Sequence, residues 1–397
     1  MARIGIYGGS FNPPHRGHIL AARECCTRLA LDRLIFIPDA EPPHKTLAPG
    51  SPDSATRLAL VKLAAQDVPM AEVSDMELRR DGRSYTADTV RQLRQQYPEE
   101  ELALLMGTDM YLSFDQWREP DVIANAVTLA CMYRSDADDA LLSQLCRQRE
   151  RLAKTLGARS IFAENEALDI SSTQVRRMLF FGCADAYLQP QVLDAIKTLG
   201  LYGTNDVCAG LDFETLKEKS LSLHKPKRVP HAIGCSETSA LLARRFGADE
   251  TAAARAGILH DVTKALTTAE QRMLCRYAAL TLTADEETTP ALLHAKTGAW
   301  AAETIFGEPR EICDAIRWHT TGKACMTTLE KIVYLADMIE PTREYPGVDE
   351  IRTAAELDLD RAVLLALERT IAYLHERGFA VCEASIQARD FLLSERN

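Results

Sequence analysis

The stretch Gly5–His18, GIYGGSFNPPHRGH, leaves the chain few ways to fold. An apolar run from Ile4 to Tyr7 reads as a strand. It stops at Gly8-Gly9, where the missing Cβ atoms let another group approach the backbone closely. Ser10 and Phe11 follow in the same turn, and Pro13 and Pro14 stiffen the loop by fixing φ. His15 and His18 sit three apart at the start of the next helix and so share a face. A glycine turn that feeds a helix N-terminus is suited to phosphate, and two imidazoles there can donate to its oxygens. The plainer alternative is a strand–helix turn with two surface histidines.

Strand-like and helix-like runs then alternate to about residue 170. Strands are expected at Arg3–Tyr7, Leu34–Ile37, Leu102–Met106, Val127–Met132 and Ser160–Phe162, and helices at Gly17–Ala30, Asp53–Gln66, Thr86–Gln96 and Asp138–Leu156. Such alternation predicts a parallel sheet with helices on both faces and ligands at the carboxyl ends of its strands. Gly8-Gly9 falls at such an end. So does Lys45, in PDAEPPHK, where it can hold a cation over phosphates. In ELRRDGRSYTADT (Glu77–Thr89), Asp81-Gly82 predicts a turn, and Ser84 or Thr86 is expected to cap the following helix. Leu102–Met106 runs into Gly107-Thr108-Asp109, a glycine turn with a carboxylate, and Trp117 beyond it can stack on a flat ring. ISSTQVRR (Ile170–Arg177) offers Ser171 or Ser172 as the N-cap of a helix through Phe181. Arg176 is placed to reach back to an anion bound there.

GGSFNPPHRGH, EPPHK, GRSYTADT, GTDMYLSFDQW and ISSTQVR, in that order over residues 1–203, resemble the bacterial nicotinate-nucleotide adenylyltransferases, Rossmann-like enzymes with an HxGH motif. The resemblance implies transfer of the adenylyl group of ATP to nicotinate mononucleotide, giving deamido-NAD and pyrophosphate with Mg2+. It implies that His15, His18, Lys45, Ser172 and Arg176 meet the ATP phosphates, and that Gly8, Gly9, Ser10, Phe11, Gly107 and Ser171 belong to the nucleotide site. Thr86 and Trp117 would hold the nicotinate side, and Asp109 would sit by the ribose or the metal. The acceptor is already an anion and needs no general base, so catalysis would be positioning plus charge neutralisation. Pantetheine-phosphate adenylyltransferases share the HxGH segment but not the SYT and GTD…W set. Nicotinamide mononucleotide remains an alternative acceptor.

The net charge of −11 argues against a general nucleic-acid binder, so an anionic substrate must be met by local positive charge. Eleven cysteines, odd in number and without a CxxC pair, fit a reduced cytoplasmic protein better than a disulfide framework. No apolar run approaches a membrane span, and the start, MARIGIYGG, reads as strand and turn rather than a signal peptide.

Pro190–Leu199 predicts a closing helix, and Gly200, Gly203, Thr204, Asn205, Asp206 and Gly210 mark a linker, placed at 204–211. Beyond it, alanine- and leucine-rich stretches at 233–246, 251–260, 295–306, 328–340 and 358–376 predict an all-helical domain over 212–397. The expected architecture is therefore α/β followed by all-α.

The helical half carries His231, His260-Asp261, His294, His319 and Asp337 in the order H…HD…H…H…D. Imidazole and carboxylate are ligands for divalent transition metals, and the two oxygens of Asp261 can bridge two ions. Asp337 sits in an apolar helical run, where an isolated buried carboxylate is costly unless paired or metal-bound. Lys264, one turn beyond Asp261, and Arg228, three residues before His231, can meet phosphates. Each residue alone has an ordinary reading as a surface or hydrogen-bonded core group; the ordered set points to a metal centre.

That order, with AGILHDVTK, LLHAKTGAWAA, IRWHTTG and MTTLEKIVYLADMIEPTRE, resembles the HD-domain phosphohydrolases, and most closely the HD-type symmetrical diadenosine tetraphosphate hydrolases. The resemblance implies cleavage of diadenosine tetraphosphate to two ADP at a centre of two divalent metals, described for that family as iron. His231, His260, Asp261, His294, His319 and Asp337 would be the ligands. Asp261 and Lys264 would act in catalysis, and Lys264, Arg228 and Arg343 would neutralise phosphates. The GYP segment of cyclic-di-GMP phosphodiesterases is lacking. Two alternatives are a non-catalytic nucleotide or metal sensor regulating the first domain and a helical dimerisation scaffold; homo-oligomerisation is left open.

Overall fold

Among the described residues the first unit, Met1–Asp206, is built on six strands: β1 (Arg3–Gly9), β2 (Arg33–Pro38), β3 (Ala71–Val73), β4 (Glu101–Gly107), β5 (Thr128–Arg134) and β6 (Ser160–Asn165). All pair in parallel in the order β3-β2-β1-β4-β5-β6, with Ile6 opposite both Ile35 and Leu104, and Leu105 opposite Ala130. The computed structural model describes residues 1–397 apart from 43–45, 81, 167, 169 and 397, so the expectation for Lys45 lies outside the described residues.

The middle residues of β1, β2, β4 and β5 are buried, as a parallel sheet covered on both faces requires. Ile4 and Ile6 pack with Ile35, Leu104, Leu129, Val90 and Leu145 in one core. Among the described residues eight α-helices complete the unit: α1 (Arg16–Arg28), α2 (Ser54–Ala65), α3 (Thr86–Gln96), α4 (Thr108–Leu112), α5 (Pro120–Ala126), α6 (Asp139–Leu156), α7 (Ser172–Phe180) and α8 (Pro190–Thr198). The strand order reverses between β1 and β4, so Gly8-Gly9 and Gly107 end side by side. That crevice is where open α/β sheets bind ligands.

Two expectations need correction. Strand β3 was missed, because three edge residues, Ala71–Val73, are too few to display an alternation. Neither Ser84 nor Thr86 caps α3: its N-cap is Tyr85, without a side-chain bond, and the Ser84 hydroxyl instead accepts from the Ala40 N–H at 3.3 Å.

The second unit, Val207–Asn397, is helical: α9 (Phe213–Leu223), α10 (Val229–Phe246), α11 (Glu250–Leu259), α12 (Thr268–Tyr277), α13 (Ala284–Thr288), α14 (Leu293–Thr304), α15 (Arg310–Trp318), α16 (Thr328–Ile339), α17 (Val348–Ala355), α18 (Leu359–Glu376) and α19 (Glu383–Ser394). Several starts are written in the sequence. Thr267, Thr283 and Thr327 each accept from the N3 amide while a glutamate three residues on bonds back, closing a capping box. Helices α10 and α11 approach closely because Gly257 has no side chain: a Cβ there would lie 2.8 Å from Cys235 O. Among the described residues no helix is long and apolar enough to cross a membrane.

Candidate functional sites

In the first unit a cavity of about 1010 Å³ opens at the carboxyl ends of the strands. Gly8, Gly9, Ser10, Phe11, His15, His18, Thr86, Gly107, Trp117, Ser171, Ser172 and Arg176 all line it. Asp109 is exposed in the first turn of α4, where its neighbours Thr108 and Met110 are the wall residues.

His15 is the N-cap of α1 and stacks on His18, with ring centroids 3.7 Å apart. The His18 Nδ1 accepts from the His15 N–H at 3.2 Å, which fixes that ring against the helix start. Burial, and then the neighbouring His18, hold His15 well below the usual histidine range. Among the described residues its Nδ1 is buried without a hydrogen-bond partner. Ser171 caps α7 in a capping box, while the Ser172 hydroxyl donates to Pro13 O at 3.0 Å. Arg176 donates to Asn12 O at 2.6 Å and to Thr173 Oγ1 at 3.0 Å, so α7 is tied to the β1–α1 loop. Trp117 packs its ring 5.4 Å from Phe114 and leaves part of itself to the cavity.

Sequence reasoning missed what holds this loop. Arg57 on α2 is 1% exposed and donates to Ser10 O (2.7 Å), Asp39 Oδ1 (3.0 Å), Asp39 O (2.8 Å) and Ala40 O (2.9 Å). The Ser10 hydroxyl donates to the other Asp39 oxygen at 2.9 Å. One guanidinium thus joins the loops after β1 and β2. An arginine in a helix otherwise reads as a solvated charge, and the apolar Leu60 and Val61, three and four residues on, are the local sign that its face is buried.

The second unit gathers His231, His260, Asp261, His294, His319 and Asp337 into one cluster, buried except for Asp337, which is half-buried. His231 enters from α10, His260-Asp261 from the turn after α11, His294 from α14, His319 from the end of α15 and Asp337 from α16. Asp261 divides its oxygens. Oδ2 lies 3.7 Å from His231 Nε2 and 3.5 Å from His260 Nε2, whereas Oδ1 lies 3.2 Å from His294 Nε2 and 3.7 Å from His319 Nε2. Asp337 Oδ1 sits 3.2 Å from His231 Nε2 and 3.9 Å from His260 Nε2.

The outer nitrogens explain why the inner ones converge. His260, His294 and His319 donate Nδ1–H to the carbonyls of Gly257, Ala291 and Ile316 at 2.6, 2.7 and 2.7 Å. His231 donates to Glu340 Oε1 at 2.9 Å. This is how metal-binding imidazoles are oriented, with the second nitrogen anchored and Nε2 left to bind. Glu340, fully buried, is itself held by Thr342 N–H and Oγ–H at 2.7 and 2.5 Å. Gly234 makes room for it, since a Cβ there would meet Glu340 Oε2 at 2.5 Å.

Burial alone would raise Asp261, but the neighbouring His260, with His294 and His319 beside its other oxygen, holds it well below the carboxylate range. Burial would lower His231, but the bond to Asp337 and the neighbouring Cys235 carry it to about 9. Arg228 pairs with Asp261 and Arg343 with Asp337, while Lys264 Nζ reaches His294 Nε2 at 2.9 Å. Three cations therefore border the cluster. The nitrogen and oxygen donor set, its anchored outer nitrogens and a carboxylate facing both ways fit two divalent ions.

Residues 6–178 match the cytidylyltransferase-like family and residues 228–342 the HD domain family. A protein of Geobacter metallireducens that carries the name nicotinate-nucleotide adenylyltransferase is 37% identical over 200 residues, spanning 48% of this chain and 92% of that protein. One of the same name from Syntrophotalea carbinolica is 38% identical over 216 residues, spanning 51% of this chain and 99% of that protein. A crystal structure from Clostridium acetobutylicum, described as an HD superfamily hydrolase involved in NAD metabolism, is 33% identical. It covers 47% of this chain and 98% of its own, with a TM-score of 0.45. The chain thus belongs, through its N-terminal half, to the nicotinate-nucleotide adenylyltransferase family, and it carries an HD domain in its C-terminal half.

Proposed function

We propose that the chain is a bifunctional enzyme with two domains, 1–203 and 212–397, joined by a linker at 204–211. The first transfers AMP from ATP to nicotinate mononucleotide, and the second hydrolyses diadenosine tetraphosphate to two ADP. The first assignment is carried by the lining of the crevice: Gly8-Gly9, His15, His18, Ser172 and Arg176 converge at the strand ends in a chain of this family. A phosphate oxygen of the mononucleotide attacks the α-phosphorus of ATP in line, the bond to the β-phosphate oxygen breaks, and pyrophosphate leaves with the electron pair. His18 and Arg176, with His15 supporting the ring, offset the charge on the transferring and leaving groups, and Lys45 is assigned to the same role. Mg2+ bound with ATP would add charge neutralisation. Thr86 and Trp117 line the wall assigned to the pyridine ring, and Asp109 is assigned to the ribose or metal side.

The second assignment is carried by Asp261, whose oxygens face separate histidine pairs. Two divalent ions held by the six ligands, taken to be iron, would supply Lewis acidity and a water of lowered pKa. Arg228, Lys264 and Arg343 border the cluster and are assigned to the polyphosphate, where guanidinium and ammonium groups bind strongly. Buried thiols such as Cys25, Cys131 and Cys235 support a reducing, cytoplasmic setting.

Product analysis tests both assignments. The purified chain with ATP and nicotinate mononucleotide is expected to yield deamido-NAD and pyrophosphate. Equal or faster turnover with nicotinamide mononucleotide would overturn the acceptor assignment. With diadenosine tetraphosphate it is expected to yield ADP alone; ATP plus AMP, or no cleavage, would overturn the hydrolase assignment in favour of another phosphohydrolase or of a regulatory sensor.

A further inference from the structure

Asn12, in the middle of the β1–α1 loop, is buried and lines the nucleotide cavity. Three of its polar atoms are taken. The backbone carbonyl accepts from Arg176 at 2.6 Å, Nδ2 donates to Ser51 Oγ at 2.7 Å, and Oδ1 accepts from the Tyr202 hydroxyl at 2.9 Å. Ser51 gives its own proton to Ala48 O at 2.6 Å, so toward Asn12 it can only accept. The amide nitrogen must then face Ser51, and the amide oxygen is left needing a donor, which Tyr202 supplies. Tyr202 comes from the short turn Leu201–Gly203 after α8 and is not itself a wall residue. Its backbone is left-handed, with φ +57° and ψ +28°, between Gly200 and Gly203, whose φ values are also positive. A bulky residue in that region is an outlier. It persists only where the surroundings hold it, and here the turn delivers the ring to Asn12. Burial lifts the phenol above its ordinary 10, outweighing the downward pull of Arg176 and Arg57, so the hydroxyl stays a donor at physiological pH.

We propose that Tyr202 is a positioning residue for adenylyl transfer: its hydroxyl fixes Asn12, and through the Asn12 carbonyl it fixes the Arg176 guanidinium that meets the triphosphate. The proposal rests on the adenylyltransferase reading of this unit. A guanidinium has five N–H donors, so the bonds to Asn12 O and Thr173 Oγ1 aim Arg176 without occupying all of it. The same Asn12 amide holds the loop after β2 through Ser51 and Ala48, and Ala48 lines the cavity. Removing the Tyr202 hydroxyl leaves Oδ1 without its donor, and the amide is then free to turn. Arg176 and the loop after β2 lose their common anchor together. Alignment of reacting groups is steep, since a misplacement of about 1 Å costs about 10²-fold in rate.

The test compares the full chain with Tyr202→Phe, which keeps the ring and loses only the hydroxyl, in steady-state formation of deamido-NAD. The expected result is a kcat lower by roughly 10- to 100-fold, with the KM for nicotinate mononucleotide and the circular dichroism near wild type. In an Asn12→Ala background the hydroxyl has nothing to hold, and the acceptor it would orphan is gone. The double variant should therefore turn over within about twofold of Asn12→Ala alone. Single losses that multiply in the double variant overturn the link through Asn12. An unchanged kcat in Tyr202→Phe, or a change confined to KM, overturns the positioning role and leaves the adenylyltransferase reading standing. A Tyr202→Phe chain that does not fold makes the hydroxyl a folding contact and overturns the role as well. A wild-type chain that forms no deamido-NAD overturns the reading and the proposal together.

Discussion

The rings of His15 and His18 stack with centroids 3.7 Å apart and planes 29° from parallel. Two imidazoles so close cannot both carry charge cheaply, and the buried one, His15, is held well below its ordinary 6.5 by burial and by His18. The unfolded chain therefore binds more protons than the folded one between that lowered value and 6.5. Stability tied to His15 is complete above about pH 6.5 and is lost as the pH falls below it. Urea midpoints of the wild type and His15→Asn, followed from about pH 7.5 to about pH 5.5, should converge on acidification. A constant difference between them would contradict the buried, neutral ring.

His18 keeps part of its ring toward the cavity. Replacing it with alanine removes a charge-stabilising donor, a change that costs roughly 10²–10³ in turnover. His18→Ala should show that loss in a pyrophosphate-release assay while its circular dichroism and urea midpoint stay near wild type.

Arg57 is 1% exposed and anchors two loops at once. Arg57→Met would leave Asp39 and three carbonyls without their donor, and breaking such a buried pair costs about 3–5 kcal/mol. The urea unfolding free energy of the N-terminal transition should fall by about that amount. Arg57→Lys should recover only part of it, because one ammonium cannot reproduce the planar fork.

Asp261 contacts both histidine pairs, so a single substitution affects both halves of the cluster. Asp261→Ala should lower bound metal measured by mass spectrometry and abolish phosphohydrolysis, leaving adenylyl transfer intact. Full metal content in a folded Asp261→Ala chain would contradict the bridging role.

Glu340 is fully buried and holds the outer nitrogen of His231 at 2.9 Å. Glu340→Gln keeps the shape and removes the charge. Loss of such an outer partner weakens metal affinity about 10–100-fold, which competition against a chromophoric chelator would measure. An unchanged affinity would mean that the imidazole is fixed by packing alone.

Much of this molecule could be read from its sequence because the relevant signals are local. The β/α alternation, the GGSFNPPHRGH turn and the spacing of H…HD…H…H…D are carried by neighbouring residues or by rare residue types. What escaped depends on tertiary contacts. Arg57 looks like a helix surface charge until its loops close over it. Glu340 gains meaning only when α10 and the end of α16 meet. The three residues of β3 become a strand only by pairing with β2, Ile35 opposite Glu72. The Ser84 hydroxyl had two possible uses, a cap or a tertiary bond, and the loop after β2 claimed it.

The walls of the nucleotide cavity come from positions as distant as Ile6 and Arg176. A fragment that ends before Arg176 or begins after Ile6 holds only a part of them. Affinity for a nucleotide should therefore be an all-or-none property of the assembled sheet: truncating the unit between those two residues would erase binding outright, and ligand would protect that whole span from proteolysis as a block.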